Sequence, residues 1–122
     1  MAYEVFKKQL EGRTLAFSVE LLNFLCKLPQ NRVFAVIVTQ LAKSGTSMGA
    51  NYREANRAES KADFTHKIGI VEKESSESVY WLTVLSKVNF LDACFEPEVQ
   101  VLLKEASELL ALFSTINRKS KA

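Results

Sequence analysis

The sequence "SGTSMGANYREA", residues 44 to 55, carries residues that weaken helices inside a segment whose apolar spacing is otherwise helical. It holds two glycines, three hydroxyl side chains and an asparagine, and apolar residues continue with helical period on both sides. A glycine inside a helix costs about 1 kcal/mol relative to alanine. Close approach of a neighbouring helix is the usual compensation, so the stretch predicts tight packing between two helices.

The polar side chains of this stretch lie beside its apolar stripe. On a helical wheel, Gly45 and Ala55 lie on the stripe, and the following helix carries Ser75 and Ser78 on its own stripe. We therefore expect these two helices to press together and to satisfy each other's polar groups, with a ligand niche or a local kink as alternatives. The predicted helix-packing cluster consists of Ser44, Ser47, Asn51 and Glu54.

Four segments of the chain show the helical period of about 3.6 residues. Asn31 is a good N-cap, Ser60 and Asp63 form a capping box, and Pro97 suits a first helical turn. The predicted helices span residues 13–28, 31–58, 61–89 and 97–117. Short connections favour antiparallel neighbours. We predict one all-α domain over residues 1–122, an up-down-up-down antiparallel four-helix bundle.

Composition sets broad limits on the class of protein. The 122 residues are 48% apolar and 25% charged, which is typical of one globular domain, and 16 basic residues nearly balance 14 acidic ones. The longest apolar run, "VFAVIV", is too short for a bilayer. We therefore expect a cytoplasmic protein without membrane contact. Cys26 and Cys94 have apolar neighbours, which favours buried thiols over a disulfide.

No pattern in the sequence favours catalysis. The chain has one histidine, and Asp63-x-x-His66 is its nearest approach to the Glu-x-x-His motif of di-metal bundles. Neither cysteine pairs with His66 by any sequence argument, and no glycine-rich phosphate loop is present. We expect no catalytic residue, metal, cofactor or small-molecule substrate, and an enzyme is the least favoured of three functional hypotheses.

A basic stripe on the second helix raises the possibility of nucleic-acid binding. Its four cations lie within about 80° of arc, opposite the apolar line, at 100° per residue. They are Arg32, Lys43, Arg53 and Arg57. Such a stripe could contact phosphates. The alternative is a solvated face with ordinary ion pairs, because no aromatic residues lie between the arginines as stacking platforms.

A second apolar line on the third helix indicates self-association, since one helix of a bundle is not expected to bury two faces against its own chain. The predicted oligomer interface comprises Ile70, Glu77, Trp81, Val84 and Val88. The first helix adds a similar line of Leu15, Val19, Leu22 and Cys26. Excess apolar surface with a charged rim is typical of a protein–protein interface. The alternative is an asymmetric bundle that buries more apolar surface within one chain.

The string "KSGTSMGANYREANRAESKADFTHKIGIVEKESSESVYWL", residues 43–82, resembles the family called "four helix bundle protein". That family is related to proteins encoded in intervening sequences of bacterial large-subunit ribosomal RNA genes. The matching residues begin with Ser-Gly-Thr-Ser at 44–47 and Ala-Asn-Tyr-x-Glu-Ala at 50–55. They continue through Ala58, Ser60, Asp63, Phe64, Lys67, Lys73, Glu74 and Glu77 to Tyr-Trp-Leu at 80–82.

The resemblance implies an up-down-up-down bundle that assembles into a ring-like homopentamer, and the number five comes from the family alone. The family's biochemical role is largely unassigned, and the "ribosomal protein" label of such proteins follows from gene location. Similar accessory proteins of diversity-generating retroelements bind nucleic acid through a basic surface. The resemblance thus carries possible RNA or DNA binding onto the basic stripe.

Overall fold

The chain folds into four long helices and contains no strand over residues 2–122, which are the residues that the computed structural model describes. The helices are α1 (Ala2–Leu25), α2 (Arg32–Ala55), α3 (Lys61–Lys87) and α4 (Glu96–Ser120), with a short 3-10 turn at Ala93–Phe95. Each helix packs on the next, and α4 returns to α1, which closes the bundle. The predicted all-α four-helix bundle is confirmed.

Side-chain caps fix the start of two helices. The Asn31 side chain accepts hydrogen bonds from the backbone N–H of Val33 at 3.1 Å and of Phe34 at 2.9 Å. At the start of α3, the Ser60 hydroxyl accepts the backbone N–H of Asp63 at 3.0 Å. These bonds satisfy N–H groups that the first helical turn leaves without partners.

The predicted start of α1 at residue 13 is wrong, because the helix begins at Ala2. Tyr3, Phe6 and Leu10 extend the apolar stripe at spacings of three and four, so the helical pattern reaches the N-terminus. Gly12 does not end the helix: it is exposed, and a Cβ there would meet nothing within 4 Å.

The core runs the length of the bundle. At one end the Tyr52 ring lies against Phe113 of α4, with ring centroids 5.1 Å apart. α1 reaches α4 largely through charge: Arg13 donates to Glu105 and Glu108 at 2.7 Å each. No helix among residues 2–122 is both long and apolar enough to cross a bilayer.

The two glycines of the opening stretch let α1 approach α2. A Cβ at Gly45 would overlap Leu21 Cδ2, and one at Gly49 would lie 3.0 Å from the Thr14 hydroxyl oxygen. The Ser18 hydroxyl also donates to the Gly45 carbonyl at 3.1 Å. The close neighbour at the glycines is therefore α1, whereas the sequence analysis expected α3.

Candidate assembly surface on α1 and α2

The structure divides the predicted helix-packing cluster. The hydroxyls of Ser44 and Ser78 are both buried and lie 3.0 Å apart between α2 and α3. Within α2, the Asn51 side chain donates to the Ser47 hydroxyl at 2.8 Å. Glu54 is exposed and makes no side-chain hydrogen bond among the described residues. The serines thus allow α3 to approach one flank of α2, while the glycines admit α1 on the other.

The four cations of the basic stripe are all exposed, but only Arg32, Lys43 and Arg53 lie on α2, because the helix ends at Ala55 and Arg57 follows in the turn. Arg53 lies 3.7 Å from the Glu11 carboxylate, measured from Nε to Oε1. No carboxylate among residues 2–122 comes within 4 Å of the other three, Arg32, Lys43 and Arg57. The stripe is therefore partly neutralised at one position and open at three.

The predicted second apolar line of α3 is not left in water by its own chain. Ile70, Trp81, Val84 and Val88 are each half-buried, and the last three pack against the monomer's core. Glu77 is half-buried as well. The expectation that a lone molecule would expose this line is wrong, because large side chains at the edge of the core stripe still reach the core.

Both cysteines are free and exposed, so the expectation of buried thiols is wrong. Cys94 follows Asp92 in the turn before α4, where the Asp92 side chain accepts the Cys94 backbone N–H at 2.9 Å. The same carboxylate raises the pKa of the Cys94 thiol. Cys26 follows the last residue of α1 and borders a surface groove.

An uncovered apolar line runs along α1. Leu15, Val19 and Leu22 are 57%, 50% and 42% exposed. They lie on the side of α1 that borders α2, beyond the buried residues that face the core. Isolated exposed leucines are common, but an aligned row on one helix is not.

The neighbouring surface of α2 is built from small residues, which leaves a groove between the two helices. One groove of about 690 Å³ lies at the end of the bundle where α1 meets α2. Its apolar lining includes Leu22, Leu25, Cys26, Ala35, Val38 and Ala42. A second, of about 280 Å³, continues beside Leu15 and Gly49 and ends at Arg53. We call the α1 line and these grooves the α1–α2 surface.

The α2 half of this surface was not predicted from the sequence. A signal was present, because Ala35, Thr39, Ala42 and Thr46 recur every three or four residues and therefore share one face of a helix. Alanine and threonine contribute little hydrophobicity, so a face built from them does not stand out as an apolar stripe. Their effect shows only in three dimensions, where they leave the sides of the α1 leucines uncovered.

Comparison with known proteins places this bundle in a family. The family model described as "23S rRNA-intervening sequence protein" matches residues 8–115, nearly the whole bundle. The chain belongs to the 23S rRNA-intervening sequence protein family. The resemblance that the sequence analysis drew from residues 43–82 is thereby confirmed. No curated protein matches the chain.

One solved relative supports the assignment. The crystal structure of a protein of unknown function from the S23 ribosomal protein family of Bacteroides thetaiotaomicron VPI-5482 superposes with a TM-score of 0.79. The two sequences are 30% identical, and the match covers 92% of this chain and 97% of the other. Fold and family are thus shared across essentially the whole length of this family member.

Proposed function

We propose that this member of the intervening-sequence protein family is a non-enzymatic protein that assembles with copies of itself, and that the α1–α2 surface forms one side of the interface. The observation that carries the proposal is the row of exposed Leu15, Val19 and Leu22 beside an open apolar groove. In a monomer this row would stay hydrated, at a cost that burial against a second copy removes.

The free energy gained by burying the apolar row indicates how much of the α1–α2 surface must be buried in the interface. Full burial of one such side chain contributes about 1.5–3 kcal/mol. Because the three are each only about half exposed, the part still to be buried supplies on the order of 2–5 kcal/mol, near the lower end of the 4–15 kcal/mol lost in association. The two grooves between α1 and α2 must therefore also be filled by the second copy for the complex to persist at micromolar concentration. The ring-like homopentamer implied by the resemblance is the assembly that we propose.

Charge substitutions on the α1–α2 surface test the proposal. Leu22→Glu places a carboxylate in the groove, and we expect it to reduce the molecular mass in solution to that of one chain while the helical circular dichroism is kept. Ala111→Glu, on an exposed position of α4, is the matched control and should leave the assembly unchanged. An unchanged oligomer in folded Leu22→Glu would remove the α1–α2 surface from the interface.

A second candidate function is nucleic-acid binding through the basic stripe of α2, as an accessory protein for RNA or DNA. It is favoured by three exposed cations that form no ion pair with any other residue in the range 2–122, namely Arg32, Lys43 and Arg57. Each phosphate contact should release counterions, so that the binding constant falls steeply as salt rises.

A titration of labelled RNA and DNA oligonucleotides at several salt concentrations tests this candidate. We expect Arg32→Glu with Arg57→Glu to weaken binding and to lower the salt slope by about one per lost contact. Lys104→Glu, an exposed residue on α4, serves as the control. Absence of binding by the unmodified protein at low salt would eliminate this function and leave self-assembly untouched.

A further inference from the structure

We infer that the assembly interface joins two different surfaces, so that the α1–α2 surface of one copy docks against α3 of the next and Arg53 of the first pairs with Glu74 of the second. This inference rests on the proposed self-assembly and adds the identity and orientation of the partner surface. We call the receiving residues the acidic face of α3. They are Ile70, Glu74, Glu77, Trp81 and Val84.

The acidic face carries two carboxylates that form no close ion pair with residues 2–122. Glu74 and Glu77 lie one turn apart and are half-buried, and no cation among residues 2–122 comes within 4 Å of either carboxylate. Burial raises the pKa of Glu74, and the nearby charge of Glu77 raises it further, against opposing effects of Lys73 and Lys43. A half-buried carboxylate pair of this kind is stabilised by a cation from outside the chain.

The α1–α2 surface supplies such a cation. Arg53 stands at the end of the groove that Leu15 borders. Its side chain is 57% exposed, and its contact with Glu11 is long, at 3.7 Å. The guanidinium forms a long ion pair with Glu11 but no hydrogen bond to it, so its N–H donors can bind a second carboxylate. The two surfaces are complementary in charge.

The two surfaces also match in height along the bundle. Ser18 bonds Gly45, and Ser44 bonds Ser78, so Ser18 of α1 and Ser78 of α3 lie at nearly the same level. Because α1 and α3 run in the same direction, residues about 60 apart share a level. Leu22 is then level with Trp81, and Leu15 with Glu74.

Because the two surfaces lie at the same height along the bundle, they can meet when neighbouring copies pack side by side with their bundle axes parallel. In that arrangement the apolar end of the α1–α2 surface meets Trp81 and Val84. Arg53 lies about one helical turn from Glu74, within reach of its long side chain. Both surfaces border α2, so they occupy adjacent rather than opposite sides of the bundle. Contacts between unlike surfaces generate rings or filaments, and adjacent placement favours a small closed ring.

Cross-linking tests the inference. Val84→Cys is combined with Cys94→Ser, so that the only thiols are Cys26 and the one introduced at position 84. A short bis-maleimide is then added to the assembled protein. We expect covalent chains that grow one subunit at a time up to the full ring, because Cys26 of each copy faces position 84 of the next. Two controls should give no cross-linked product. One adds Cys26→Ser to the variant, and the other carries Ser107→Cys on α4 instead of Val84→Cys.

Each alternative result has a distinct meaning. Covalent dimers formed by Cys94→Ser alone, through two Cys26 residues, would show like surfaces meeting and would overturn the inference. An oligomer without any cross-linked product from the double variant would overturn it too, while leaving self-assembly standing. A monomeric parent protein would instead refute the proposed function itself.

Charge exchange provides a second measurement. Arg53→Glu and Glu74→Arg should each weaken assembly. Mixing the two single variants should restore assembly in part, because every contact between unlike variants is complementary in charge, whereas a ring of five copies must keep at least one contact between like variants. The double variant in one chain should restore full rings. Failure of that restoration, with the double variant folded, would rule out the Arg53–Glu74 pair.

Discussion

The hydroxyls of Ser44 and Ser78, 34 residues apart in the chain, lie 3.0 Å from each other at the buried contact between α2 and α3. Each hydroxyl also lies within hydrogen-bond distance of a carbonyl of its own helix, Leu41 at 3.4 Å for Ser44 and Glu74 at 2.9 Å for Ser78, so the two protons are shared among three contacts. Small hydroxyl side chains therefore let the helices approach without leaving a polar group unpaired. Two serines, one on each helix, therefore form the contact that sets the spacing between α2 and α3.

Removing this contact should lower the free energy of unfolding. We expect Ser78→Ala to cost about 1 kcal/mol, the usual net contribution of one hydrogen bond. Ser76→Ala, on the exposed side of α3, should change stability by less than about 0.5 kcal/mol. Urea denaturation of both variants measures the difference. Equal midpoints would show that the hydroxyl pair contributes nothing beyond close packing.

The glycines of α2 and α1 should respond in opposite ways to alanine. Gly45→Ala gains about 1 kcal/mol of helix propensity, but its methyl group overlaps the fully buried Leu21 side chain. Overpacking of a core costs about 1–3 kcal/mol, so we expect a net loss of about 1 kcal/mol. Gly12→Ala meets nothing and should raise stability. Thermal unfolding would contradict this account if both variants were stabilised.

Acid should weaken the contact between α3 and α4 at Glu72. Hydrogen bonds from Ser114 and Asn117 lower the pKa of Glu72 below its ordinary value of 4.5. A lowered folded-state pKa stabilises the protein above the unfolded value, and this stabilisation is lost as the pH falls through the folded value. Glu72→Gln should therefore be less stable than the parent at pH 7 and equal to it in strong acid.

Denaturation curves between pH 7 and pH 2 measure this convergence. Glu20→Gln, an exposed position on α1, is the control and should follow the parent at every pH. If Glu72→Gln is less stable than the parent by the same free energy of unfolding in strong acid as at pH 7, the negative charge of Glu72 does not stabilise the contact.

The one tryptophan, Trp81, reports on the proposed interface. It is half-buried in the single chain and should be shielded further in the assembly. We expect Leu22→Glu, on the opposite partner surface, to increase iodide quenching of Trp81 fluorescence and to shift its emission to longer wavelength. Ala111→Glu should do neither. Unchanged quenching in a dissociated Leu22→Glu protein would place Trp81 outside the interface.

Most of the fold could be predicted from the sequence because its signals are local. The period of apolar residues, the Asn31 cap and the capping box at Ser60 each act within a few residues. The start of α1 was placed at residue 13, directly after Gly12, whereas the helix begins at Ala2 and continues through that exposed glycine, which costs a long helix only about 1 kcal/mol.

The candidate site was harder to predict because it depends on which helix covers which side chain. Leu22 and Trp81 look alike as members of second apolar lines. In space, Trp81 reaches the core beside α2, whereas Leu22 faces a groove that small α2 residues leave open. Cys26 follows the same logic: apolar neighbours in sequence predicted burial, but its side chain is exposed beside the groove between α1 and α2.

Light scattering on the unmodified protein, from micromolar to tens of micromolar concentration, gives the mass of the particle directly. We predict a stable mass several times the 13.7 kDa of one chain, with five copies as the expected number. A mass of one chain across that whole range would contradict self-assembly and leave the apolar row of α1 without a function.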